Sequence, residues 1–148
     1  MTKRIRCLAL TAVLGVTTPL AARTQAAPPP DEAAAVRATV ERYLHGLKFN
    51  DVGSLAKAFR PDARLFFVKK DGTLGELTQQ KWYEGFRESA GKEEEGDLAI
   101  ASLDVTGNAA SVKVVENYPR SRYTDYLSLL KTDGAWWIVN KIYFAEKR

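Results

Sequence analysis

The sequence predicts an α+β domain in which helices pack on one face of an antiparallel sheet. Apolar residues recur at helical spacing in the first half of the chain, whereas four segments in the last third alternate between apolar and polar residues. Short turns join those four segments, which is typical of an antiparallel meander. The predicted order of two helices, a hairpin, a third helix and four strands is characteristic of this fold class.

Residues 1–26 are typical of a secretory signal peptide. Three basic residues precede an apolar stretch at Cys7–Val16, and small residues follow it up to Ala26. The stretch is shorter than the roughly 20 residues that a membrane-spanning helix needs. We therefore expect cleavage after Ala26, or alternatively after Ala22, and export to the periplasm or the medium without later membrane attachment.

Without residues 1–26 the chain carries no net charge. Four of the 22 Lys and Arg residues lie in that segment, which leaves 18 basic residues to balance 18 acidic ones. Cys7 is the sole cysteine of the sequence and leaves with the same segment. The remainder comprises a proline-rich linker at residues 27–31 and a domain at residues 32–148. A neutral domain without cysteine gives no reason to expect a nucleic acid, an anionic membrane, a disulfide or a thiolate metal site.

The first predicted helix follows the linker and ends at about Lys48. Asp31 is a suitable N-cap, because its carboxylate can accept hydrogen bonds from the free N–H groups of the first turn. Asn50 and Asp51 then break the helix, and a second, short helix ends at Pro61. The face of the first helix that is predicted to meet the core comprises Val36, Val40, Tyr43, Leu44 and Leu47.

A hairpin is predicted after the second helix. Its strands are Ala63–Lys69 and Thr73–Leu77, and the Asp71-Gly72 dipeptide between them favours a two-residue turn with positive φ at both residues. A third helix follows from Thr78, which can cap it. The four strands that complete the domain are predicted at Leu98–Val105, Ala109–Tyr118, Tyr123–Lys131 and Trp136–Phe144.

Several segments carry motifs that indicate a known fold. Val40–Asp51 covers a helix and the break after it, and Ala58–Ala63 contains the pattern Phe-x-Pro-Asp-Ala. Asp125–Lys131 and Gly134–Lys141 form the closing strands, the second of which begins Gly-x-Trp-x-Ile. With these motifs the chain resembles the nuclear transport factor 2-like (NTF2-like, SnoaL-like) superfamily over about residues 32–146. Within that superfamily it is similar to the lumazine-binding family.

The resemblance implies a cone-shaped fold. In this superfamily a strongly curved antiparallel sheet wraps around three helices and leaves an apolar cavity at the open end. Many members form homodimers through the outer face of the sheet, so a homodimer is expected here. The superfamily includes ketosteroid isomerase and scytalone dehydratase, but also many non-catalytic binding domains. Because one fold hosts many functions, the function must be argued from the residues of the site.

Two acidic residues are candidates for a catalytic base, which is the group that enzymes of this superfamily use. Glu116 alternates in phase with apolar residues of its strand, and a carboxylate on an apolar face is costly unless it is paired or functional. It is therefore either a pocket acid or a strand-end residue in water or paired with an arginine. Asp125 either acts as the base or forms a structural pair with Lys141 or Arg122.

The ligand-binding residues are predicted to include aromatic side chains on which a flat ligand can stack. Asn140 is interpreted either as a ligand contact or as a core hydrogen-bonding group. His45, the lone histidine, is predicted on the polar side of the first helix, which disfavours a histidine-based active site or metal site. No cofactor motif is present, so no cofactor or metal is expected. The predicted ligand-binding set is Tyr43, Trp82, Glu116, Tyr118, Tyr126, Trp136 and Asn140.

These observations favour an exported, non-catalytic domain that binds a small, mostly apolar ligand in its cavity. The alternative is an isomerase, dehydratase or cyclase with Glu116 or Asp125 as base and Tyr118 or Tyr126 as hydrogen-bond donor. A third hypothesis is a module that binds a partner protein through the outer sheet face. A Glu116 carboxylate that points into the cavity, within hydrogen-bond reach of a tyrosine, would favour the enzyme.

Overall fold

The structure is a computed structural model that describes residues 30–148. The predicted signal peptide at residues 1–26 and the first three linker residues lie outside the described residues. Helix α1 (Pro30–Lys48) begins one residue before the predicted cap Asp31 and therefore takes in the end of the predicted linker. Proline suits the first position of a helix, because its missing N–H would have no intrahelical partner there.

Helices α1 and α2 (Val52–Ala58) form the predicted pair. Asn50 ends the first with a positive φ of 50°, and Asp51 caps the second by accepting a hydrogen bond of 2.9 Å from Gly53 N. The predicted core face of α1 is confirmed by four buried residues, and a fifth, Leu44, packs against the same core at partial exposure. Those buried residues are Val36, Val40, Tyr43 and Leu47.

Strand β1 (Phe59–Val68) starts four residues earlier than predicted, with Pro61 inside it. The pairing register shifts between Phe59 and Arg64, so that proline lies where the ladder of hydrogen bonds is interrupted. Strand β2 (Leu74–Thr78) returns from the hairpin. The predicted turn type is wrong, because only Gly72 of the Asp71-Gly72 pair has positive φ. Gly72 N instead donates to Lys69 O at 2.9 Å, as in a longer turn closed by a left-handed glycine.

Helix α3 (Gln79–Tyr83) begins where predicted, and Thr78 Oγ1 accepts a hydrogen bond of 3.2 Å from Lys81 N. It continues as a 3₁₀ helix at Glu84–Ser89. The meander then consists of β3 (Asp97–Thr106), β4 (Ala109–Tyr118), β5 (Ser121–Thr132) and β6 (Ala135–Lys147).

The strands of residues 30–148 form one curved sheet in the order β2-β1-β6-β5-β4-β3. Neighbouring strands are antiparallel except for β1 and β6, which run parallel, so the sheet is mixed. Helix α1 crosses its concave face, and the core between them includes Phe59, Val112, Leu127 and Ile138. Between residues 30 and 148, no helix is both long enough and apolar enough to span a bilayer. The predicted α+β cone is confirmed.

A β-bulge in β6 decides which side chains of that strand point inward. Leu129 pairs with Ile138 but Ser128 pairs with Asn140, which leaves Val139 as the extra residue. Because one extra residue reverses the alternation of side chains, the inward positions of β6 change phase at this point. Lys141 is consequently buried on the concave face.

Candidate functional site

A cavity of about 710 Å³ opens at the wide end of the cone. Its floor carries Glu116 and Lys141, and its mouth is lined by polar residues of the loops before β3 and between β4 and β5. The wall is largely aromatic, and this aromatic wall consists of Trp82, Phe86, Tyr118, Tyr123 and Tyr143.

Glu116 is the acidic group of the floor, and only 3% of it is exposed. The hydroxyl of Tyr43 lies 2.9 Å from Glu116 Oε1, and that of Tyr118 lies 3.3 Å from Oε2. The carboxyl group thus points into the cavity floor within reach of two tyrosines. Its predicted alternative positions, in bulk water or against an arginine, are wrong.

Asp125 and Lys141 form an ion pair directly behind Glu116. Lys141 Nζ donates to Asp125 Oδ2 at 2.7 Å and to Tyr43 Oη at 2.8 Å. Tyr43 Oη also contacts Asp125 Oδ2, so these three side chains meet at one point. The other oxygen, Asp125 Oδ1, is buried and has no hydrogen-bond partner among the described residues. We call Tyr43, Glu116, Tyr118, Asp125 and Lys141 the floor network.

Strand register brings the floor network together. Asp125 pairs with Val114, which is two residues before Glu116, so the two carboxyl groups are diagonal neighbours on the concave face. Lys141 pairs with Leu127 and is in turn a diagonal neighbour of Asp125. Tyr43 reaches the same point from α1. Two acids and a base from three adjacent strands therefore share one buried site.

The charges of the floor network favour a state in which Glu116 and Asp125 together hold one proton. The pKa of Glu116 is raised to about 8. Burial is the largest cause, the Lys141 ammonium opposes it, and the charge of Asp125 adds to it. A hydroxyl has one proton, so Tyr43 cannot donate to both carboxylates at once. A protonated Glu116 beside an ionised Asp125 resolves this conflict. The net charge of Glu116, Asp125 and Lys141 together is then zero.

The two tyrosines of the floor network are proton donors. Burial raises the pKa of Tyr43 well above its usual value, and the charges of Asp125 and Glu116 add to the effect. Burial also raises the pKa of Tyr118, with the charge of Glu116 as the next cause. Both phenols therefore keep their protons throughout the neutral range.

Comparison with known proteins places the chain in a family. A model of the family described as "Putative lumazine-binding" matches residues 31–144. The chain belongs to this family. An NTF2-like protein of unknown function from Shewanella baltica OS155 has a TM-score of 0.72 and 30% identity, with 78% of this chain and 94% of that chain covered. One from Silicibacter pomeroyi DSS-3 has a TM-score of 0.69 and 27% identity, with 78% and 97% covered.

A curated relative of this lumazine-binding family member is named "Aldolase FrzH", from Cladobotryum sp.. It is 28% identical over 123 residues, which cover 77% of this chain and 91% of the relative. The near-complete coverage of the relative means that the relative consists mainly of this domain.

In this lumazine-binding family member the structure brings five of the predicted site residues together. Trp82, Glu116 and Tyr118 line the cavity, and Tyr43 and Asp125 lie directly behind its floor. The interpretation of Asp125 as the partner of Lys141 is confirmed by their ion pair of 2.7 Å.

Three predicted ligand-binding residues lie elsewhere. Tyr126 is 45% exposed on the outer face, because it alternates with the buried Asp125. Trp136 is buried at the start of α1, where its Nε1 donates to Glu32 Oε2 at 2.7 Å. Asn140 pairs with the exposed Ser128 and points outward, because the bulge at Val139 reverses the phase that the prediction extended from Trp136.

The predicted ligand-binding set lacks several cavity residues, among them Lys141, Tyr123 and Tyr143. Tyr123 was detectable, because it is in phase with Asp125 on a strand without irregularity. Lys141 and Tyr143 lie after the bulge, and no residue pattern in β6 indicates that a bulge is present. His45 is half exposed and lies 3.7 Å from Asp51, on the polar side of α1 as predicted.

Among residues 30–148 there is no group of three or more His, Cys, Asp or Glu side chains arranged to hold a metal ion. The floor network offers a titratable carboxyl, two phenol donors and an amine at the floor of the cavity, and most of these side chains are buried. These are the groups of general acid–base chemistry on an organic molecule.

Proposed function

We propose that the cavity binds a small organic carbonyl compound and that Glu116 moves a proton at the carbon beside the carbonyl group. One observation carries the proposal: the Glu116 carboxyl is buried in the cavity floor, hydrogen-bonded by two tyrosines, with a pKa raised to about 8. A carboxyl group whose pKa lies near neutrality can both accept and return a proton, which general acid–base catalysis requires.

Tyr118 is the donor that supports the carbonyl oxygen in this proposal. Its hydroxyl lies 3.3 Å from Glu116 Oε2, which is a long hydrogen bond for two oxygens. The phenol can therefore turn to a ligand oxygen at little cost. Negative charge grows on the carbonyl oxygen as the neighbouring carbon loses its proton, and a preplaced donor stabilises that charge.

The other members of the floor network hold Glu116 in place. Tyr43 contacts Glu116 and Asp125 together, and Lys141 balances the charge of Asp125. Because Tyr43 and Asp125 are fully buried, we assign them a positioning role rather than contact with the ligand.

The cavity supports a ligand with an aromatic or flat body and polar ends. Its volume of about 710 Å³ is within the usual range for small-molecule sites. The aromatic wall offers stacking, but Glu94, Glu95 and Arg120 at the mouth and Glu116 and Lys141 at the floor are polar. The sequence predicted a mostly apolar ligand. We instead propose a ligand that carries polar groups at both ends.

The name of the curated relative is consistent with this proposal. An aldol reaction begins with removal of a proton beside a carbonyl group, which is the step we assign to Glu116. The relative is named an aldolase, and at 28% identity we take from it the class of chemistry and not a substrate.

Binding without reaction is the competing function. It is favoured by the mutual pairing of Lys141 and Asp125, which satisfies both charges without a ligand. The same cavity would then act as a receptor for a small molecule, as the sequence reasoning favoured. For either function, residues 1–26 predict that the protein is exported and acts outside the cytoplasm.

Exchange of carbon-bound protons with solvent distinguishes the two functions. Small aryl ketones and aldehydes would be incubated with the protein in D₂O, and deuterium beside the carbonyl followed by NMR. We expect exchange by the wild type and a loss of about 100-fold or more in Glu116→Gln, the range found for general bases. Glu88→Gln, an exposed control outside the cavity, should exchange like the wild type.

Two outcomes would overturn catalysis by Glu116. One is equal exchange by Glu116→Gln and the wild type. The other is no exchange by the wild type with any compound that raises its melting temperature, which would leave ligand binding as the function.

We also propose a homodimer formed through the outer face of the sheet. Large apolar side chains of β6 are exposed there, at 50% for Ile142 and 64% for Phe144. Val68 and Leu74 extend the same surface onto β1 and β2. Contiguous exposed apolar surface of this kind is typical of protein–protein contact sites.

A further inference from the structure

We propose that Lys141 binds the ligand covalently, as a protonated imine between its Nζ and the carbonyl carbon. This inference rests on the proposed function, because it takes a carbonyl compound as the ligand. It adds a bond-forming residue to a site that otherwise works by proton transfer alone.

Lys141 is placed where a ligand can reach it. Its side chain is buried with 5% exposure, yet it lines the cavity floor beside Glu116. Among the described residues that line the cavity, it carries the one primary amine. A lysine that served only to neutralise Asp125 would not need a position on the cavity surface.

The surroundings of Lys141 Nζ suit an imine as well as an ammonium. Two N–H groups donate to Asp125 Oδ2 and Tyr43 Oη, which leaves a third without a hydrogen-bond partner among the described residues. The ring centroids of Tyr43, Trp82 and Tyr143 lie 5.0–5.2 Å from Nζ. A protonated imine keeps the positive charge, so it retains the ion pair with Asp125 and the attraction of the rings.

The floor network also supplies the proton transfers for imine formation. The Lys141 ammonium gives a proton to Asp125 Oδ2, to which it already donates at 2.7 Å, and becomes a nucleophilic amine. The nitrogen electron pair forms the C–N bond, the C=O π pair moves to oxygen, and that oxygen takes the proton of Glu116.

Loss of water completes the step. The nitrogen passes a proton to the Glu116 carboxylate, and the hydroxyl group takes that proton and leaves as water while the C=N bond forms. The proton on Asp125 then returns to Glu116 through the Tyr43 hydroxyl, which contacts both carboxyl groups. Both acids end in their starting states. The balance is ammonium plus carbonyl compound to protonated imine plus water, with no oxidant, reductant or further reactant.

Reductive trapping tests the inference on the wild-type protein. Benzaldehyde and sodium cyanoborohydride would be added, and the rate of benzylation of each lysine followed by peptide mass spectrometry. We expect Lys141 to react about 10-fold or more faster than Lys131, because an activated amine beside proton donors outpaces an ordinary one. Lys131 is the matched control, since it is also partly buried and paired with an acid, Glu32, but lies outside the cavity.

Lys141→Arg provides a second measurement. Arginine keeps the charge opposite Asp125 but has no amine that forms an imine. The variant should lose the fast-labelled peptide while Lys131 reacts at its wild-type rate. Labelling of Lys141 no faster than Lys131 in the wild type would overturn the imine.

The trapping and exchange experiments separate this inference from the proposed function. Deuterium exchange that persists in Lys141→Arg, together with an unlabelled Lys141 in the wild type, would leave proton transfer by Glu116 standing without an imine. A labelled Lys141 with no deuterium exchange by the wild type would establish the imine and refute removal of a carbon-bound proton by Glu116.

Discussion

At the scale of single residues, Glu116 links the stability of the fold to pH. Its pKa is about 8 in the folded protein and 4.5 in an unfolded chain, so between these values the folded state holds the extra proton. The stabilisation that this proton gives is complete below pH 4.5 and is lost as pH rises to about 8. The direction is opposite to that of an ordinary ion-paired carboxylate.

Glu116→Gln tests that link, because glutamine resembles the protonated acid and does not titrate. Relative to this variant, the wild-type free energy of unfolding should fall by about 1.4 kcal/mol per pH unit across that range. Urea denaturation at several pH values measures the difference, with Glu88→Gln expected to follow the wild type. Parallel curves for Glu116→Gln and the wild type would show that Glu116 has an ordinary pKa.

Single residues also mark how far the sequence could predict the site. Strict alternation on β4 and β5 placed Glu116 and Asp125 on the concave face, and the Asp125–Lys141 pair followed from opposite charges on neighbouring strands. Alternation could not decide between water and the cavity for Glu116, because that depends on where α1 crosses the sheet. Asn140 was placed wrongly because an inserted residue changes the phase without any change in composition.

At the scale of elements, helices and strands were predictable wherever periodicity and turn residues agree. Thr78 caps the helix that it was predicted to cap, and Asp51, which was predicted to break the first helix, caps the second, because a short polar side chain can accept from free N–H groups. Boundaries failed where tertiary contacts override local preference. Pro61 was expected to end a helix but lies inside β1, where pairing with β6 holds the backbone extended on both sides of it.

The contact between α1 and α2 depends on Gly46. A Cβ atom at this position would lie 2.6 Å from Leu55 Cγ, and Leu55 is fully buried and cannot move aside. We expect Gly46→Ala to lower the free energy of unfolding by about 1–2 kcal/mol, because overpacking of a core outweighs the better helix propensity of alanine. Chemical denaturation measures this loss.

Gly85→Ala is the matched control for that prediction. A Cβ atom there would have no neighbour within 4 Å. It should leave stability within about 0.5 kcal/mol of the wild type, as surface substitutions usually do. A Gly46→Ala variant as stable as Gly85→Ala would refute the close packing of the two helices.

At the scale of the whole molecule, the cone separates two surfaces with different tasks. The concave face buries the core at one end and opens as the cavity at the other, whereas the convex face presents apolar side chains to solvent. The resemblance to the NTF2-like superfamily predicted this architecture, because in that superfamily a curved sheet wraps around three helices. The parallel pairing of β1 with β6 was not predictable from local patterns, since it joins segments from opposite ends of the domain.

The exposed convex face leads to a prediction about assembly. We expect light scattering after gel filtration to show a dimer for the wild type and a monomer for Ile142→Lys, because a buried charge at the interface would be unpaired. Lys57→Glu, on the exposed side of α2, should remain a dimer. A wild-type monomer at micromolar concentration would exclude this interface.

The proposed chemistry depends on the proton that Glu116 holds, and NMR can observe that proton directly. With glutamate labelled by ¹³C at the δ carbon, the carboxyl signals would be followed from acid to alkaline pH, and Glu116→Gln would assign the signal that it removes. We predict that this signal titrates at a pH of about 8, well above the 4.5 of an ordinary glutamate. If every glutamate signal, including that of Glu116, titrates near or below the ordinary value, the cavity floor does not hold a proton at neutral pH and the proposed chemistry is contradicted.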